Sequence, residues 1–357
     1  MSEHFPSELL EELPGLLVPW FLRARRDLEW RNAPTPYRVW ISEIMLQQTR
    51  VEAVKPYYDR FLAALPDVAS LAAVDEPRLL KLWEGLGYYR RAKNLRAAAQ
   101  KIVDEFGGVF PDDYDSVRTL PGIGDYTAGA ILSIAFGKPF PAVDGNVLRV
   151  VSRIAASRED IDAPKLRKEL TEALAAVYPA GQCSEFTQSL MELGATVCLP
   201  NGAPMCDVCP LAGICLASRD GLTEAIPVRK AKGVRPVKQF AVVVLRDGAG
   251  RFAVRRRPET GLLAGLYEFP NLEGEPDETA LKTAFRARCI AKSGAARHIF
   301  THVEWDMTLY LATTDRPSDG FEWVTAAELR TRTAIPGAFK AALKLALAQD
   351  PIPGGKP

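Results

Sequence analysis

Residues 120–131 read Leu-Pro-Gly-Ile-Gly-Asp-Tyr-Thr-Ala-Gly-Ala-Ile, and this stretch decides how the first half of the chain is built. Gly122 and Gly124 allow a tight turn, and the mostly apolar run that follows from Tyr126 reads as a helix. Such a turn presents backbone N–H groups at a helix start, an anion site suited to a backbone phosphate. The same spacing also fits a plain helix–turn–helix connection. Downstream, Val143-Asp-Gly-Asn-Val147 puts Asp144 just before another helix, where a carboxylate serves as an N-cap or as more than that. Arg149 and Arg153 lie one turn apart on that helix and are expected to face phosphate or solvent. Upstream, Trp40-Ile-Ser-Glu-Ile-Met-Leu-Gln-Gln-Thr49 embeds Glu43 in a largely apolar helix. A buried carboxyl there takes a raised pKa, which a general acid needs; a solvated helix face is the alternative.

Around these motifs apolar residues recur at spacings of three and four, as at Leu166, Leu170 and Leu174. The pattern predicts helices over 7–25, 36–47, 51–64, 76–83, 91–106, 126–136, 147–156, 163–178 and 186–197. Residues 1–220 thus read as an all-helical region. Over 221–237 the chain turns irregular, with five basic and no acidic residues from Arg229 to Lys238, the mark of a linker. Strand-like runs follow over 239–245, 252–257, 305–312 and 321–324, with helices over 279–289 and 338–348. They describe a small α/β or α+β domain over 238–345, and 346–357 is expected to be a flexible tail.

The 357 residues include 45 basic and 44 acidic side chains, a formal charge of +1. Bulk charge therefore neither favours nor excludes nucleic acid, and binding would fall to a local basic patch. The length and the 47% hydrophobic content exclude a disordered chain and a disulfide scaffold. No run reaches the ~18 apolar residues of a membrane helix. The acidic start lacks a secretory pattern, so a cytoplasmic (in a bacterium, nucleoid-associated) protein is expected. Four of the six cysteines fall close together, as Cys198-x7-Cys206-x2-Cys209-x5-Cys215. Clustering points to metal, and spacing alone leaves zinc and a [4Fe–4S] cube both open. Cys183 and Cys289 stand apart and read as buried small hydrophobes.

Five ordered motifs carry a resemblance: residues 40–49, Trp83-Glu-Gly-Leu-Gly-Tyr-Tyr-Arg-Arg-Ala-Lys-Asn-Leu95, 120–131, 143–147 and the cysteine loop. Together they resemble the adenine DNA glycosylases, helix-hairpin-helix proteins that remove adenine mispaired with 8-oxoguanine. The resemblance covers about residues 7–340. It implies a multidomain fold: a mainly α-helical helix-hairpin-helix glycosylase region with a [4Fe–4S] cluster loop, then a Nudix-like α/β (α+β) domain. Cys198, Cys206, Cys209 and Cys215 would hold the cluster, although the first spacing is seven residues where the family usually has six.

The resemblance also implies roles. Glu43 would protonate adenine at N7, Asp144 would face C1′, and Tyr126 and Asn146 would orient them. Arg26, Trp30, Arg31, Leu46 and Gln188 would line the adenine pocket. Gln48 would plug the emptied stack and Tyr88 would intercalate beside the 8-oxoguanine, with Thr49 and Leu86 near the lesion. Gly122 and Gly124 would grip a phosphate through a bound alkali metal ion. Tyr126 stands where lyase relatives carry a Schiff-base lysine, so little or no lyase activity is implied.

In the second domain, the stretch from Gly261 to Pro270 resembles a Nudix-like turn, with Tyr267 where tryptophan is common. The helix over 280–289 lacks the carboxylates that a Mg²⁺-dependent hydrolase needs. Phe300-Thr301-His302 is similar to the family's lesion-sensing loop, threonine replacing serine but keeping the hydroxyl. The implied partner is double-stranded DNA bearing A:8-oxoguanine or A:G mispairs, bound by a monomer away from any membrane. Three alternatives stand beside this reading: a related glycosylase of different base preference, a non-catalytic iron–sulfur DNA-binding protein, and a zinc-stabilised interaction protein.

Overall fold

The computed structural model describes residues 4–230, 233–317 and 319–349. The chain forms two compact units, Met1–Ala73 with Asn94–Lys232, and Val74–Lys93 with Gly233–Pro357. The segment Val74–Lys93 therefore belongs to the second unit, although helical chain flanks it on both sides. Of the expected tail, residues 350–357 lie outside the described residues, as do 231–232 of the expected linker.

Four helices of the first unit carry the site: Pro36–Leu46, Asp125–Phe136, Gly145–Ile154 and Cys183–Thr196. Pro36–Leu46 begins where Thr35 Oγ1 accepts the Arg38 N–H at 3.3 Å, and Pro36 fills the first turn, where a missing N–H costs little. Every residue from Val39 to Met45 is buried, so this helix is enclosed on all sides rather than amphipathic. It packs on Asp125–Phe136, which in turn packs on Cys183–Thr196. Cys183–Thr196 also meets Gly145–Ile154 and Leu13–Ala24, around a core that includes Leu17, Val147, Val151, Phe186 and Leu190. Small residues bring the backbones close. A Cβ on Gly129 would lie 2.1 Å from the Pro141 carbonyl oxygen, and one on Gly194 would lie 2.5 Å from Asn146 Cβ.

The second unit is built on a seven-stranded sheet: β1 (Val237–Asp247), β2 (Phe252–Arg256), β3 (Tyr267–Glu268), β4 (Asn271–Glu273), β5 (Cys289–Ile299), β6 (Glu304–Thr314) and β7 (Glu322–Val324). The order is β3-β2-β1-β6-β5, with β4 against β1 and β7 against β2. β1 and β6 run parallel from Val237↔Glu304 to Asp247↔Thr314, and the other pairs are antiparallel. Ala241–Leu245 of β1 is buried throughout because both faces are covered. Val242 and Val244 join the cluster that holds Trp305, Met307, Phe339 and Ala342. Ala241, Val243 and Leu245 join Leu281 and Phe285 on the other side. A strand buried on both faces reads as one continuous apolar run, which is what this stretch is.

Two expected elements differ. The helix over 7–25 is split into Ser7–Glu11 and Leu13–Ala24, with Pro14 in the first turn of the second. The helix over 279–289 stops at Phe285, where Arg286 adopts a left-handed φ of 51°, and Cys289 opens β5 instead. Cys289 is accordingly exposed rather than buried, while Cys183 is buried.

Gly129→Ala tests the close packing. Alanine gains about 1 kcal/mol of helix propensity over glycine in an open helix. Here the added methyl meets Pro141, so thermal denaturation is expected to show a lower Tm.

Candidate active site

Glu43 is 6% exposed. Its Oε2 accepts a hydrogen bond from the Tyr126 hydroxyl at 2.5 Å. Burial pushes its carboxyl up to about 7, with the charge of Asp144 adding to the effect; the Tyr126 bond and the positive charge of Arg31 oppose it in part. Burial and the neighbouring carboxylates push the Tyr126 phenol well up, so it stays protonated and donates.

Asp144 is the N-cap of Gly145–Ile154. Its Oδ1 accepts the Val147 N–H at 2.8 Å, and its Oδ2 accepts Asn146 Nδ2 at 2.7 Å. The cap leaves Asp144 in the cavity beside Glu43. Burial raises its carboxyl, against the lowering effect of these hydrogen bonds and of the Arg149 charge. Asn146 is held in turn, because Arg149 Nη2 donates to its Oδ1 at 2.9 Å and to the Gly194 carbonyl at 2.7 Å. Arg149 and Arg153 thus correct the expectation of phosphate- or solvent-facing arginines. Both are buried, and Arg153 donates to the carbonyls of Ile226 and Leu199.

One cavity of about 480 Å³ brings most of the expected residues together. Arg26, Trp30, Arg31, Glu43, Leu46, Gln48, Thr49, Tyr126, Asp144, Asn146 and Gln188 all line it. Trp30 is fixed edge-on to Tyr58 at 5.4 Å, and Gln188 Nε2 donates to Ser184 Oγ at 3.1 Å. The sequence reading missed Glu192, a buried carboxylate in the same wall. It accepts from Arg26 N, Nε and Nη2 and from Arg31 Nη2, at 2.8–2.9 Å. Burial alone would raise it, but these hydrogen bonds and the charge of Arg31 bring it down to about 2. The signal was present but local: Glu192 interrupts the apolar run Leu190-Met-Glu-Leu193.

Gly122 and Gly124 lie outside this lining. Gly122 has φ 80°, in the region that favours glycine, and Gly124 begins Asp125–Phe136 with no side-chain cap on the helix N–H groups. Gln48, at the mouth of the cavity lining, holds a left-handed φ of 57° that a side chain adopts only under constraint.

Leu86, Tyr88, Phe300, Thr301 and His302 belong to the second unit. Leu86 is buried. Tyr88 is 47% exposed at φ 48°, and its hydroxyl lies 3.4 Å from Thr301 Oγ1. The Thr301 carbonyl accepts from Arg235 Nε at 3.3 Å. Phe300 sits edge-on to Trp305 at 4.8 Å, and His302 is exposed. Tyr267 donates to Glu322, and the buried Glu268 is paired with Arg255 and Arg257 rather than left open to a cation.

The cysteine loop requires a correction. Among the described residues, no three His, Cys, Asp or Glu side chains form a group that could hold a metal ion. All six cysteines are free. Cys198, Cys206, Cys209 and Cys215 line a cavity of about 20 Å³, room for about one water. Burial pushes the Cys209 thiol up to about 11 and raises that of Cys215. Arg153 Nη1 donates to Cys198 Sγ at 3.2 Å. The expected [4Fe–4S] cluster loop, and the iron–sulfur part of the fold class, are therefore not retained.

Residues 41–176 match the HhH-GPD superfamily base excision DNA repair proteins, and residues 241–345 match the NUDIX domain. The chain is 32% identical over 396 residues to the adenine DNA glycosylase of Mus musculus, covering 92% of this chain and 76% of that protein. It is 35% identical over 263 residues to the adenine DNA glycosylase of Buchnera aphidicola, covering 73% and 75%. Among solved structures, a thermostable thymine-DNA glycosylase superposes with a TM-score of 0.54 at 27% identity, over 60% of this chain and 98% of that one.

The buried Glu43 makes stability depend on pH. Its carboxyl titrates at about 7 when folded, against an ordinary 4.5. The folded state thus binds the extra proton between these values, and stability falls as pH rises through that window. Glu43→Gln removes the titration. Relative to its effect at pH 4, where both forms are neutral, the substitution is expected to gain about 3 kcal/mol at pH 8, measured by chemical denaturation at the two pH values.

Proposed function

The chain belongs to the adenine DNA glycosylase family of the HhH-GPD superfamily, and from that premise we propose how this enzyme of base excision repair works and which duplex it reads. The observation that carries the reading is the single cavity in which a buried carboxyl of pKa about 7, Glu43, shares space with Asp144.

Adenine cannot be reached inside a duplex, so the target nucleotide is extruded into the cavity between Trp30, Arg31 and Leu46. Glu43, still protonated near neutrality, donates to N7 of the base. Protonation turns adenine into a competent leaving group. The C1′–N9 bond then breaks with its electron pair going to the base, and positive charge develops on the sugar. The Asp144 carboxylate, aimed by Asn146 and Val147 N–H, stabilises that charge. Water adds at C1′ and loses its proton, leaving free adenine and an abasic site. Tyr126 has no amine with which to form a Schiff base, so the reaction stops there.

For the opposite strand we propose 8-oxoguanine or guanine facing the adenine. The exposed Tyr88, with its hydroxyl beside Thr301 Oγ1, supports this. Gln48 fills the gap in the stack, and the N–H groups after Gly124 hold a phosphate.

Single-turnover assays on a labelled A:8-oxoguanine duplex test the reading. The parent is expected to release adenine and to cut the strand only after alkali. Glu43→Gln and Asp144→Asn are each expected to lose at least about 10²-fold in rate while keeping duplex affinity. The parent rate is expected to fall as pH rises through about 7, where Glu43 loses its proton. Adenine release undiminished in Glu43→Gln, or strand cutting without alkali, would reject the mechanism.

A further inference from the structure

We propose that Lys81 and Glu84 are positioning residues for reading the base opposite the adenine: they hold the Gly85–Tyr88 loop in register with the Thr301 turn. The inference rests on the mispair reading above and concerns residues outside both the catalytic pair and the lesion-facing groups.

Tyr88 and Thr301 are 213 positions apart in sequence yet meet through their hydroxyls at 3.4 Å. Both lie in the second unit, and Tyr88 reaches it only because Val74–Lys93 folds there. Beside the Glu76–Arg256 and Lys93–Glu259 ion pairs, that segment is fastened next to the loop by a compact polar staple. The Lys81 ammonium donates to Glu84 Oε2 at 2.6 Å, to the Leu329 carbonyl at 2.9 Å and to the Thr333 carbonyl at 3.3 Å. Three protons thus find three acceptors, and the cation sits against the C-terminal end of the helix Ala326–Thr331, where it is favoured. The other Glu84 oxygen, Oε1, accepts the Ile335 N–H at 2.7 Å. The contacted backbone is itself held by packing, since Leu329, Thr333, Ala334 and Ile335 are all buried.

Between the staple and Tyr88 the loop has little freedom. Gly85 and Gly87 have φ of 104° and 72°, and Tyr88 is left-handed at 48°. Trp83 Nε1 donates to the Gly87 carbonyl at 3.0 Å, and Arg91 Nη2 donates to the Leu86 and Gly87 carbonyls at 3.2 and 3.1 Å. A displacement at residues 81–84 is therefore carried to Tyr88 rather than absorbed. The catalytic carboxylates lie in the other unit and do not share this support.

The test compares single-turnover adenine release from A:8-oxoguanine and A:G duplexes for the parent, Lys81→Met and Glu84→Gln, with Tm recorded for each. Glu84→Gln keeps an acceptor for Ile335 N–H while losing the ion pair, so it guards against simple unfolding. Both variants are expected to lose about 10-fold or more of the parent's preference for A:8-oxoguanine, with the A:G rate kept. An unchanged preference overturns the inference, and so does an equal fall on both duplexes, which marks a merely structural role. A parent that treats the two duplexes alike overturns the mispair reading and the inference with it.

Discussion

The proposed acid–base chemistry of the cavity depends on the burial of one carboxyl group. Glu43 can hold a proton near neutrality because its carboxyl is buried in the cavity wall, among helix residues that are themselves buried from Val39 to Met45. That enclosure is a packing achievement. Gly129 lets Asp125–Phe136 press against Pro141, and Gly194 lets Cys183–Thr196 press against Asn146. Larger side chains at either place would separate the backbones and admit solvent. The Tyr126 hydroxyl then gives the buried acid a hydrogen bond without a counter-charge at contact distance.

Glu192 shows the opposite outcome from the same wall. It is no less buried, yet two arginines saturate its oxygens and keep it ionised. Two carboxylates in one cavity are thereby driven to opposite ends of the titration scale, one to keep a proton and the other to anchor cations. Asp144 feels both influences: burial raises it, while the Val147 N–H at the helix N-terminus, Asn146 and the Arg149 charge restrain the rise.

The sequence made the helical scaffold legible because its apolar spacing is strong, and it made Ala241–Leu245 legible because a strand buried on both faces is continuously apolar. Glu43 stood out as a charge in apolar surroundings, whereas Asp144 read on its own as an N-cap and took its further role only from the resemblance. Glu192 had the same signature but no motif around it, and its partners Arg26 and Arg31 are more than 160 positions away. The strand β5 is largely exposed on both faces, so no buried face imposed an apolar–polar alternation that could announce it. The burial of Arg149 and Arg153 was hidden for a related reason: the carbonyls that receive them, at Gly194, Leu199 and Ile226, are backbone groups and leave no mark in composition. Four cysteines suggested a metal by their clustering and spacing, whereas the described residues assemble no ligand group.

The staple at Lys81 and Glu84 also sets an order of events during biosynthesis. Lys81 bonds to a carbonyl 252 positions further on. At roughly 5–20 residues per second, a ribosome needs on the order of 10–50 s to make the chain between them. Both parts of the helical unit are complete by residue 232, so that unit can close first and leave 74–93 looped out and unmatched. A message cut short between residues 232 and 329 would thus yield a finished acid–base cavity attached to a Gly85–Tyr88 loop that has nothing to stand on.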